Sequence, residues 1–242
     1  MMFMDLNDIL NDNIHGSEFL AHNLIDILMN SVDGNYDFEK LIEKKGMMGE
    51  ILNIIYLYRY YGKDLLSIFR NRLKISKDLI RMNSENILKN KKIGVISYSS
   101  TVFYAILNSK IKYVNVLESN PGGEGKHFFN DIKDKIDANL FRDSDLEELV
   151  KDSDILISGL DIFNRRYFAN KILTYEFFKT SRNFRKMNIV LTSTLKYFPW
   201  NVKLNDLYEW IQWKDIDFLI TEKGIFSSSS ISMFCRISWP PV

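Results

Sequence analysis

The stretch that decides the fold starts with VNVLESNPGGEG (residues 114–125), continues through DILISGLD (154–161) and ends with NKILT (170–174). In the first two segments, a short apolar run is followed directly by polar and flexible residues. The third opens a segment whose pattern predicts a helix. In open α/β sheets, ligands and catalytic groups gather just beyond the carboxyl ends of the strands. The three segments therefore predict such a sheet, with a site along one edge.

Outward from this stretch, two periodicities divide the chain. In residues 1–90 apolar residues recur at steps of three and four, which predicts an all-helical domain of about four helices. In residues 91–242 short apolar runs alternate with helix-length segments, which indicates parallel strands covered on both faces. The predicted strands are 93–97, 113–117, 154–158, 188–192 and 217–221, and the predicted helices are 100–109, 124–135, 145–150 and 170–184. We therefore predict an α/β fold with an N-terminal helical domain, followed by a Rossmann-like, mostly parallel, doubly wound sheet.

Composition excludes several classes of protein. The chain has 242 residues and a net charge of +1, so it has no global field for gathering nucleic acid. No apolar run is long enough for a membrane span, and the acidic first residues argue against a signal peptide. A single cysteine excludes an internal disulfide, which favours a cytoplasmic location. With three histidines besides, we expect no metal and no cofactor.

The segment from Ser97 to Thr101 follows a predicted strand and leads into a helix. Hydroxyls and unbonded backbone N–H groups at a helix N-terminus suit an anion, so Ser99, Ser100 and Thr101 are candidates for holding phosphate. Ordinary capping by Ser99 or Ser100 explains the same pattern without a ligand.

Glu118 follows the next strand, in a segment that lacks the G-x-G-x-x-G spacing of a dinucleotide fingerprint. Its carboxylate is placed to accept hydrogen bonds from ribose hydroxyls. The residues after it also read as a Pro-Gly turn, in which Glu124 favours the helix dipole. The two interpretations are compatible.

Asp161 follows a strand and a glycine, and there a carboxylate suits general acid–base chemistry if burial raises its pKa. Strand-end aspartates also commonly cap loops. Asn170 and Lys171, expected at a helix start, are candidates for contacting a phosphate or carbonyl, although Lys171 fits a solvated surface charge equally well. Lys196 follows another strand and would add a second cation to the same edge.

Four further features favour structural explanations. His15 and His22 read as surface or cap groups. The basic run 89–92 reads as a solvated linker, with a nucleic-acid contact as the alternative. Cys235 has no obvious base beside it, so we do not expect a nucleophile there. The Ser-rich and aromatic tail from residue 227 is expected to lie loosely or to pack on a partner.

These clusters, in this order, resemble the translation initiation factor 2B alpha/beta/delta family, which is related to methylthioribose-1-phosphate and ribose-1,5-bisphosphate isomerases. The resemblance covers most of the chain. It is carried by six segments: NDNIHGS (11–17), SYSSTV (97–102), VLESNP with EG (116–125), GLD with NK (159–171), LKYFP (195–199) and LITEKG (219–224). It implies a helical N-terminal domain and a Rossmann-like C-terminal domain. It also implies ligand contacts by His15, Gly16, Ser17, Ser99, Ser100, Thr101, Glu118, Asn170, Lys171 and Lys196.

Departures from the family pattern bear on function. The isomerases have a cysteine at the first strand end, paired with the aspartate that Asp161 matches, and here Ser97 occupies the cysteine position. Since a serine hydroxyl is a far poorer acid than a thiol, a proton shuttle built on it would be badly impaired. Leu173 replaces a family glycine. An Arg-containing phosphate segment of the helical domain has no clear match, with Arg59 as a guess.

The leading hypothesis is a non-catalytic initiation factor 2B-like subunit with a sugar-phosphate or nucleotide pocket. By resemblance it would dimerise, with itself or a related chain, through the C-terminal domain and engage initiation factor 2. The alternative is an intramolecular oxidoreductase, an aldose–ketose isomerase of a phosphorylated ribose, with Asp161 as acid and base and Ser97 or a water in the role of the thiol. A third and weaker interpretation is an RNA-associated factor that uses the basic run 89–92.

Overall fold

The computed structural model describes residues 4–12, 16–30, 36–231 and 239. Five helices in this part of the chain precede the first strand: α1 (Leu6–Asn11), α2 (Ser17–Asn30), α3 (Phe38–Lys45), α4 (Gly49–Tyr61) and α5 (Asp64–Leu88). The prediction of about four is one short, because α1 has only six residues and shows no clear period. A capping box starts it, in which Asp5 and Asp8 each accept the backbone N–H of the other.

The helices share one apolar core, and α4 lies inside it. Every residue of α4 from Gly49 to Ile55 is buried, which is typical of a helix enclosed between layers. It packs against α2, α5 and the 3-10 turn Thr194–Lys196. Leu195 from that turn belongs to the helical core. The helical part of the chain and the sheet are therefore joined along α4.

Ten strands and four helices follow in the described residues. The strands are β1 (Lys92–Val95), β2 (Tyr113–Leu117), β3 (Ala138–Phe141), β4 (Ile155–Ser158), β5 (Ile162–Phe163), β6 (Tyr167–Lys171), β7 (Met187–Leu191), β8 (Tyr208–Gln212), β9 (Phe218–Thr221) and β10 (Gly224–Ser227). The helices are α6 (Ser100–Leu107), α7 (Glu124–Ile132), α8 (Leu146–Asp152) and α9 (Thr174–Asn183).

Seven strands form one sheet in the order β10-β9-β7-β4-β1-β2-β3. All its pairs are parallel except β9 with β10. This confirms the predicted mostly parallel sheet, and each of the five predicted strands overlaps an observed one. The added edge strands β3 and β10 were not predicted, because β3 is largely exposed and β10 alternates in burial, so neither is a continuous apolar run.

Both faces of the sheet are covered, as predicted for a doubly wound arrangement. Ile155 and Ile157 of β4 pack in the same cluster as α5, α6 and α7. Leu156, between them, packs on the other face with α8 and α9. Since successive side chains of a strand point to opposite faces, a strand buried on both faces must be apolar throughout.

A second, three-stranded antiparallel sheet in the order β5-β6-β8 corrects one expectation. Asn170 and Lys171 do not open a helix; they end β6, opposite Glu209 and Tyr208 of β8. Helix α9 begins three residues later, at Thr174. The partner strand lies far along the chain, so no local pattern marks these residues as a strand.

Two further expectations change. Lys92 is not in a solvated linker: it opens β1, and its Nζ lies 3.0 Å from Asp152 Oδ1. In the tail, Trp239 packs on its own chain, with its ring centroid 3.9 Å from that of Tyr56 and its Nε1 donating to Asn53 Oδ1 at 2.9 Å. None of the helices in the described ranges has the length and apolar content of a bilayer span.

Candidate functional site

The candidate site lies where the strand order reverses. The chain builds β1, β2 and β3 outward in one direction and then returns to place β4 on the other side of β1. In doubly wound sheets, ligands bind in the crevice outside the carboxyl ends of the strands at this position. The loops after β1 and β4 touch here, since a Cβ on Gly159 would lie only 2.5 Å from Ser99 Oγ. Two of the predicted segments therefore meet.

Ser97 is buried just beyond β1, in the left-handed region at φ 61°. Its backbone N–H donates to Ser119 Oγ at 2.8 Å. Ser119, beyond the end of β2, also has a positive φ of 60° and is buried. The two strand ends are thus fixed to each other by a backbone-to-hydroxyl hydrogen bond, and Ser97 sits on a rigid corner of the site.

The next hydroxyls already have protein partners. Ser99 is the N-cap of α6, where its side chain accepts the N–H of Val102 at 3.4 Å. Ser100 Oγ donates to Glu18 of α2 at 2.9 Å. Thr101, one residue further, is buried. The capping explanation thus accounts for Ser99, while phosphate binding by this segment stays a prediction.

Asp161 is held by its backbone and leaves its carboxylate for the site. Its N–H donates to the Ala169 carbonyl at 2.9 Å, and its carbonyl accepts the N–H of Gly49 at 2.8 Å. Burial raises the pKa of the Asp161 carboxyl, and the ammonium groups of Lys196 and Lys171 oppose this shift. Burial favours the protonated form of this carboxyl group and the two ammonium groups favour the ionised form, a balance that suits a group that exchanges a proton.

Lys196 ends the 3-10 turn after β7, and its side chain is only 11% exposed. Its Nζ donates to the Leu160 carbonyl at 2.8 Å, one residue before Asp161. The same nitrogen lies 4.0 Å from Glu50 Oε2 of α4. The cation is therefore fixed between the loop after β4 and the helical part of the chain.

Lys171 closes the other side of the site. Its Nζ lies 2.7 Å from Glu124 Oε1 at the start of α7, and 4.7 Å from the centroid of the Tyr208 ring. Burial raises the pKa of the Tyr208 hydroxyl, and the nearby carboxylates of Asp161 and Glu124 add to this. Tyr208 is therefore a neutral hydrogen-bonding group next to the acids.

A small cleft opens beside Lys171, with enclosed space for about one water molecule. It is lined by Ser119, Asn120, Pro121, Gly122, Glu124, Lys171, Ile172 and Leu207. Part of the VLESNP segment thus meets Lys171, which the sequence placed about fifty residues further along the chain.

Two predicted ligand residues have their polar groups engaged within the protein. Glu118 Oε2 lies 2.8 Å from Lys126 Nζ, and this interaction holds the pKa of the Glu118 carboxyl below its usual value. Asn170 is buried, and its Nδ2 donates to Thr174 Oγ1 at 3.1 Å, which fixes the turn into α9. Their geometry favours supporting roles over direct ligand contact.

The N-terminal candidates divide into three cases. Ser17, the first residue of α2, is buried and hydrogen-bonded to the side chain of Glu50. Gly16 is exposed, with nothing within 4 Å of an added Cβ. His15 lies outside the described residues, as does Cys235.

Arg59 does not belong to the site. It pairs with Glu39 at 2.6 Å and lies over the Phe38 ring. It is two and a half helical turns beyond Glu50 on α4, about 14 Å along the axis. Among the described residues, no group of three histidine, cysteine, aspartate or glutamate side chains is arranged to hold a metal ion.

Sequence reasoning missed Glu50 and Tyr208. A signal for Glu50 existed: it is an acidic residue inside the apolar run MMGEILNIIYL, residues 47–57. A charge at a position that the helical period makes internal needs a partner. Tyr208 carried no such signal, because β8 becomes a strand only through its pairing with β6.

The fold and the site together define a doubly wound α/β protein that carries a helical layer and has an acid–lysine cluster at its topological switch point. Comparison with known structures is in agreement. The chain is similar to translation initiation factor eIF-2B of Pyrococcus horikoshii OT3, with a TM-score of 0.81 and 22% identity over 92% of this chain and 95% of that one. The fold predicted from the resemblance is confirmed.

Two other solved structures share the fold. One is the tetrameric eIF2B-beta2-delta2 complex from C. thermophilum, with a TM-score of 0.70, 12% identity, and coverage of 95% of this chain and 91% of that one. The other is 5-methylthioribose 1-phosphate isomerase from Pyrococcus horikoshii OT3, with a TM-score of 0.67, 14% identity, and coverage of 95% and 85%. The fold is thus shared by translation factor subunits and by an enzyme.

Comparison of sequences adds less. No protein-family model matches the chain. The chain is 27% identical over 191 residues to the DNA-directed RNA polymerase subunit beta of Theileria parva. That alignment covers 76% of this chain but only 16% of the polymerase subunit. The chain therefore spans a small part of that protein, and the match assigns no activity to it.

Proposed function

We propose that this protein is a non-catalytic, initiation factor 2B-like subunit that binds a small phosphorylated ligand, a sugar phosphate or a nucleotide, at the switch point of its sheet. It acts through contacts with other proteins, including a second subunit. The single observation that carries the binding half of the proposal is the meeting of Asp161, Lys171 and Lys196 at one edge of the sheet.

The charges of this cluster suit recognition of an anion with hydroxyl groups. The two lysines supply ammonium donors for a phosphate. Asp161 offers carboxylate oxygens to sugar hydroxyls, and among the described residues no hydrogen bond occupies them. The small cleft beside Lys171 adds Ser119 and Asn120 to the polar residues near the cluster.

Ser97 supports the absence of catalysis. In the isomerases that the sequence resembles, a thiol stands at the end of the first strand, and here a serine does. A serine hydroxyl stays protonated at neutral pH. The hydrogen bond from Ser97 to Ser119 Oγ is made by its backbone N–H and does not involve the hydroxyl. A proton shuttle between Ser97 and Asp161 therefore lacks its acidic partner.

Titration calorimetry tests the binding half. Ribose 1,5-bisphosphate and a nucleoside monophosphate are added to the wild-type chain, to Lys196→Met and to Lys89→Met, which changes an exposed lysine at the end of α5. We expect binding that Lys196→Met weakens at least about tenfold and Lys89→Met leaves unchanged. Equal losses in both variants, or no binding by the wild type, would contradict the proposal.

The alternative function, aldose–ketose isomerisation of a phosphorylated ribose, is favoured by one observation: burial raises the pKa of the Asp161 carboxyl. Incubation with ribose 1,5-bisphosphate or methylthioribose 1-phosphate, followed by product analysis, separates the two. Turnover that disappears in Asp161→Asn, with ligand binding kept, would replace the non-catalytic assignment.

The assembly half of the proposal draws on the eIF-2B structures, one of which is a tetrameric complex. We propose a homo- or heterodimer through the C-terminal sheet domain, with initiation factor 2 as a further partner. Light scattering over a range of concentrations tests self-association. A chain that remains strictly monomeric, alone and with purified initiation factor 2B subunits, would count against it.

A further inference from the structure

The first turn of α4 reaches from the helical layer into the site. The Gly49 N–H donates to the Asp161 carbonyl at 2.8 Å. A Cβ on Gly49 would lie 2.3 Å from the Lys196 carbonyl oxygen, so the helix backbone touches the backbone of Lys196 directly. One turn further, Asn53 Nδ2 donates to the carbonyls on either side of Lys196, Leu195 at 2.7 Å and Tyr197 at 3.0 Å.

Glu50 lies within this contact and is 2% exposed. The Ser17 hydroxyl hydrogen-bonds to its carboxyl. Its second oxygen, Oε2, is buried and has no hydrogen-bond partner in the part of the chain that the structure describes. The Lys196 ammonium is 4.0 Å from Oε2 and donates instead to the Leu160 carbonyl. An orphaned carboxylate oxygen in such a position is costly and calls for an explanation.

The charges of the side chains around the site explain the unpartnered oxygen of Glu50. Two lysines, Lys171 and Lys196, share the site with three carboxyl groups, those of Glu50, Glu124 and Asp161. With all five ionised, the cluster is negative and repels a phosphate. With one proton taken up by a carboxyl group as the ligand binds, the charges of the five side chains balance and no longer repel the phosphate. A proton on the carboxyl group also removes a buried negative charge, which lowers the cost of leaving Oε2 without a hydrogen-bond donor.

We propose that binding of a phosphorylated ligand at Lys196 is coupled to the uptake of one proton by Glu50. The charge of a residue in the helical layer therefore changes when the ligand binds. This rests on the proposed function of the site. Glu50 acts as a positioning and charge-setting residue: neutral, it leaves the Lys196 ammonium to the phosphate, and ionised, it competes for that ammonium.

The groups that face Glu50 determine the direction of the coupling. Burial raises the pKa of its carboxyl, the Lys196 ammonium opposes this, and the carboxylates of Glu18 and Asp161 raise it further. Lys77 is 2.7 Å from Glu18 and offsets part of that acid's charge. An incoming phosphate adds negative charge and favours the protonated form again. Affinity therefore falls as pH rises above the pKa of Glu50 in the ligand-free protein.

Calorimetry in pairs of phosphate-free buffers with different ionisation enthalpies measures the protons taken up on binding. The probes are ribose 1,5-bisphosphate and inorganic phosphate, from about pH 8 to about pH 9, where the phosphate groups are largely doubly ionised and exchange few protons of their own. We expect the wild type to take up protons on binding, at most one per bound ligand, and its affinity to fall with rising pH by at most about tenfold per pH unit. Glu50→Gln should take up almost none and bind at least about tenfold more tightly at the alkaline end.

Matched variants assign the proton. Glu39→Gln, at an exposed helical-layer carboxylate, should behave as the wild type. Asp161→Asn removes one of the three carboxyl groups and should lower the proton uptake only in part, because Glu50 still competes for the Lys196 ammonium. Loss of uptake in Asp161→Asn but not in Glu50→Gln would overturn the assignment to Glu50. Binding without proton uptake by the wild type, a measurement that needs no variant, would overturn the inference while leaving the proposed function intact. No binding by the wild type or Glu50→Gln at any pH would overturn both.

Discussion

The sheet and the helical layer carry their polar site residues in different ways. In the sheet, Asp161 and Lys196 come after apolar strands, at an edge that every parallel strand of the sheet reaches. In the helical layer, Glu50 and Asn53 lie in the first two turns of α4, where every residue from Gly49 to Ile55 is buried. The position of Asp161 or Lys196 follows from the end of the strand that precedes it. The position of Glu50 or Asn53 is explained only by the residues that pack against α4.

The difference shows which site residues can be predicted from the sequence and which cannot. A parallel sheet sends all its strand ends to the same edge, so local patterns along the chain already predict a common site. A buried helix has no such edge. The Asn53 amide is tolerated because the Leu195 and Tyr197 carbonyls accept its hydrogen bonds, and the Lys196 ammonium lies 4.0 Å from Glu50 Oε2. Four changes would break or sharpen this comparison.

The largest effect is expected at Gly49. Gly49→Ala would place a Cβ 2.3 Å from the carbonyl oxygen and 2.9 Å from the Cα of Lys196, so one backbone must move. We expect a loss of about 3 kcal/mol in the free energy of unfolding, measured in urea. Gly16→Ala is the control, since nothing lies within 4 Å of its added Cβ, and should stay within about 0.5 kcal/mol. Similar results for both would mean that α4 does not touch the sheet half as described.

Asn53→Ala should come next. It removes the donor to the Leu195 and Tyr197 carbonyls and the acceptor for Trp239 Nε1, which leaves buried groups unpaired. A destabilisation of about 2 kcal/mol is expected. Asn23→Ala removes only a bond to the Phe19 carbonyl within α2 and should change stability by less than about 0.5 kcal/mol. Tryptophan fluorescence should shift in Asn53→Ala alone, and an unchanged spectrum would argue against the contact with Trp239.

A smaller effect concerns Leu173, which stands where the resembling family has a glycine. Its φ is 75°, in the left-handed region, at the N-cap of α9. Leu173→Ala loses side-chain packing and keeps the backbone strain, whereas Leu173→Gly loses the packing but relieves the strain. The glycine variant should therefore be the more stable of the two by about 1 kcal/mol in urea unfolding. The reverse order would show that this backbone is not strained.

The last prediction concerns the direction in which stability changes with pH. Burial raises the pKa of Asp161 above its ordinary 3.8, so its carboxyl favours folding when protonated and loses that contribution as pH rises. Asp161→Asn should gain stability relative to wild type as pH rises from about 4. Asp145 is the opposite case, because the Arg142 guanidinium holds its pKa below the ordinary value. Asp145→Asn should lose stability relative to wild type as pH rises towards about 4 and should change little above it. A loss of relative stability in Asp161→Asn as pH rises from about 4 would refute the account of Asp161.

Much of the sheet was predictable, and so was part of the site. The runs that became β4 and β7 are apolar throughout, and the residues after them led to Asp161 and Lys196 without an alignment. The same reasoning failed for Asn170 and Lys171. They end β6, whose partner β8 comes almost forty residues later, and such a pairing leaves no trace in a local pattern.

Within single segments, the order of apolar and polar residues was enough to determine a helical layer, a doubly wound sheet and a polar edge, because side-chain periodicity follows directly from backbone geometry. Which charges neutralise each other was decided only when the chain folded. Glu50 meets Lys196, and Lys171 meets Glu124, across separations that no local rule connects. Electrostatic energy depends on distance and burial in space, and tertiary packing alone sets both.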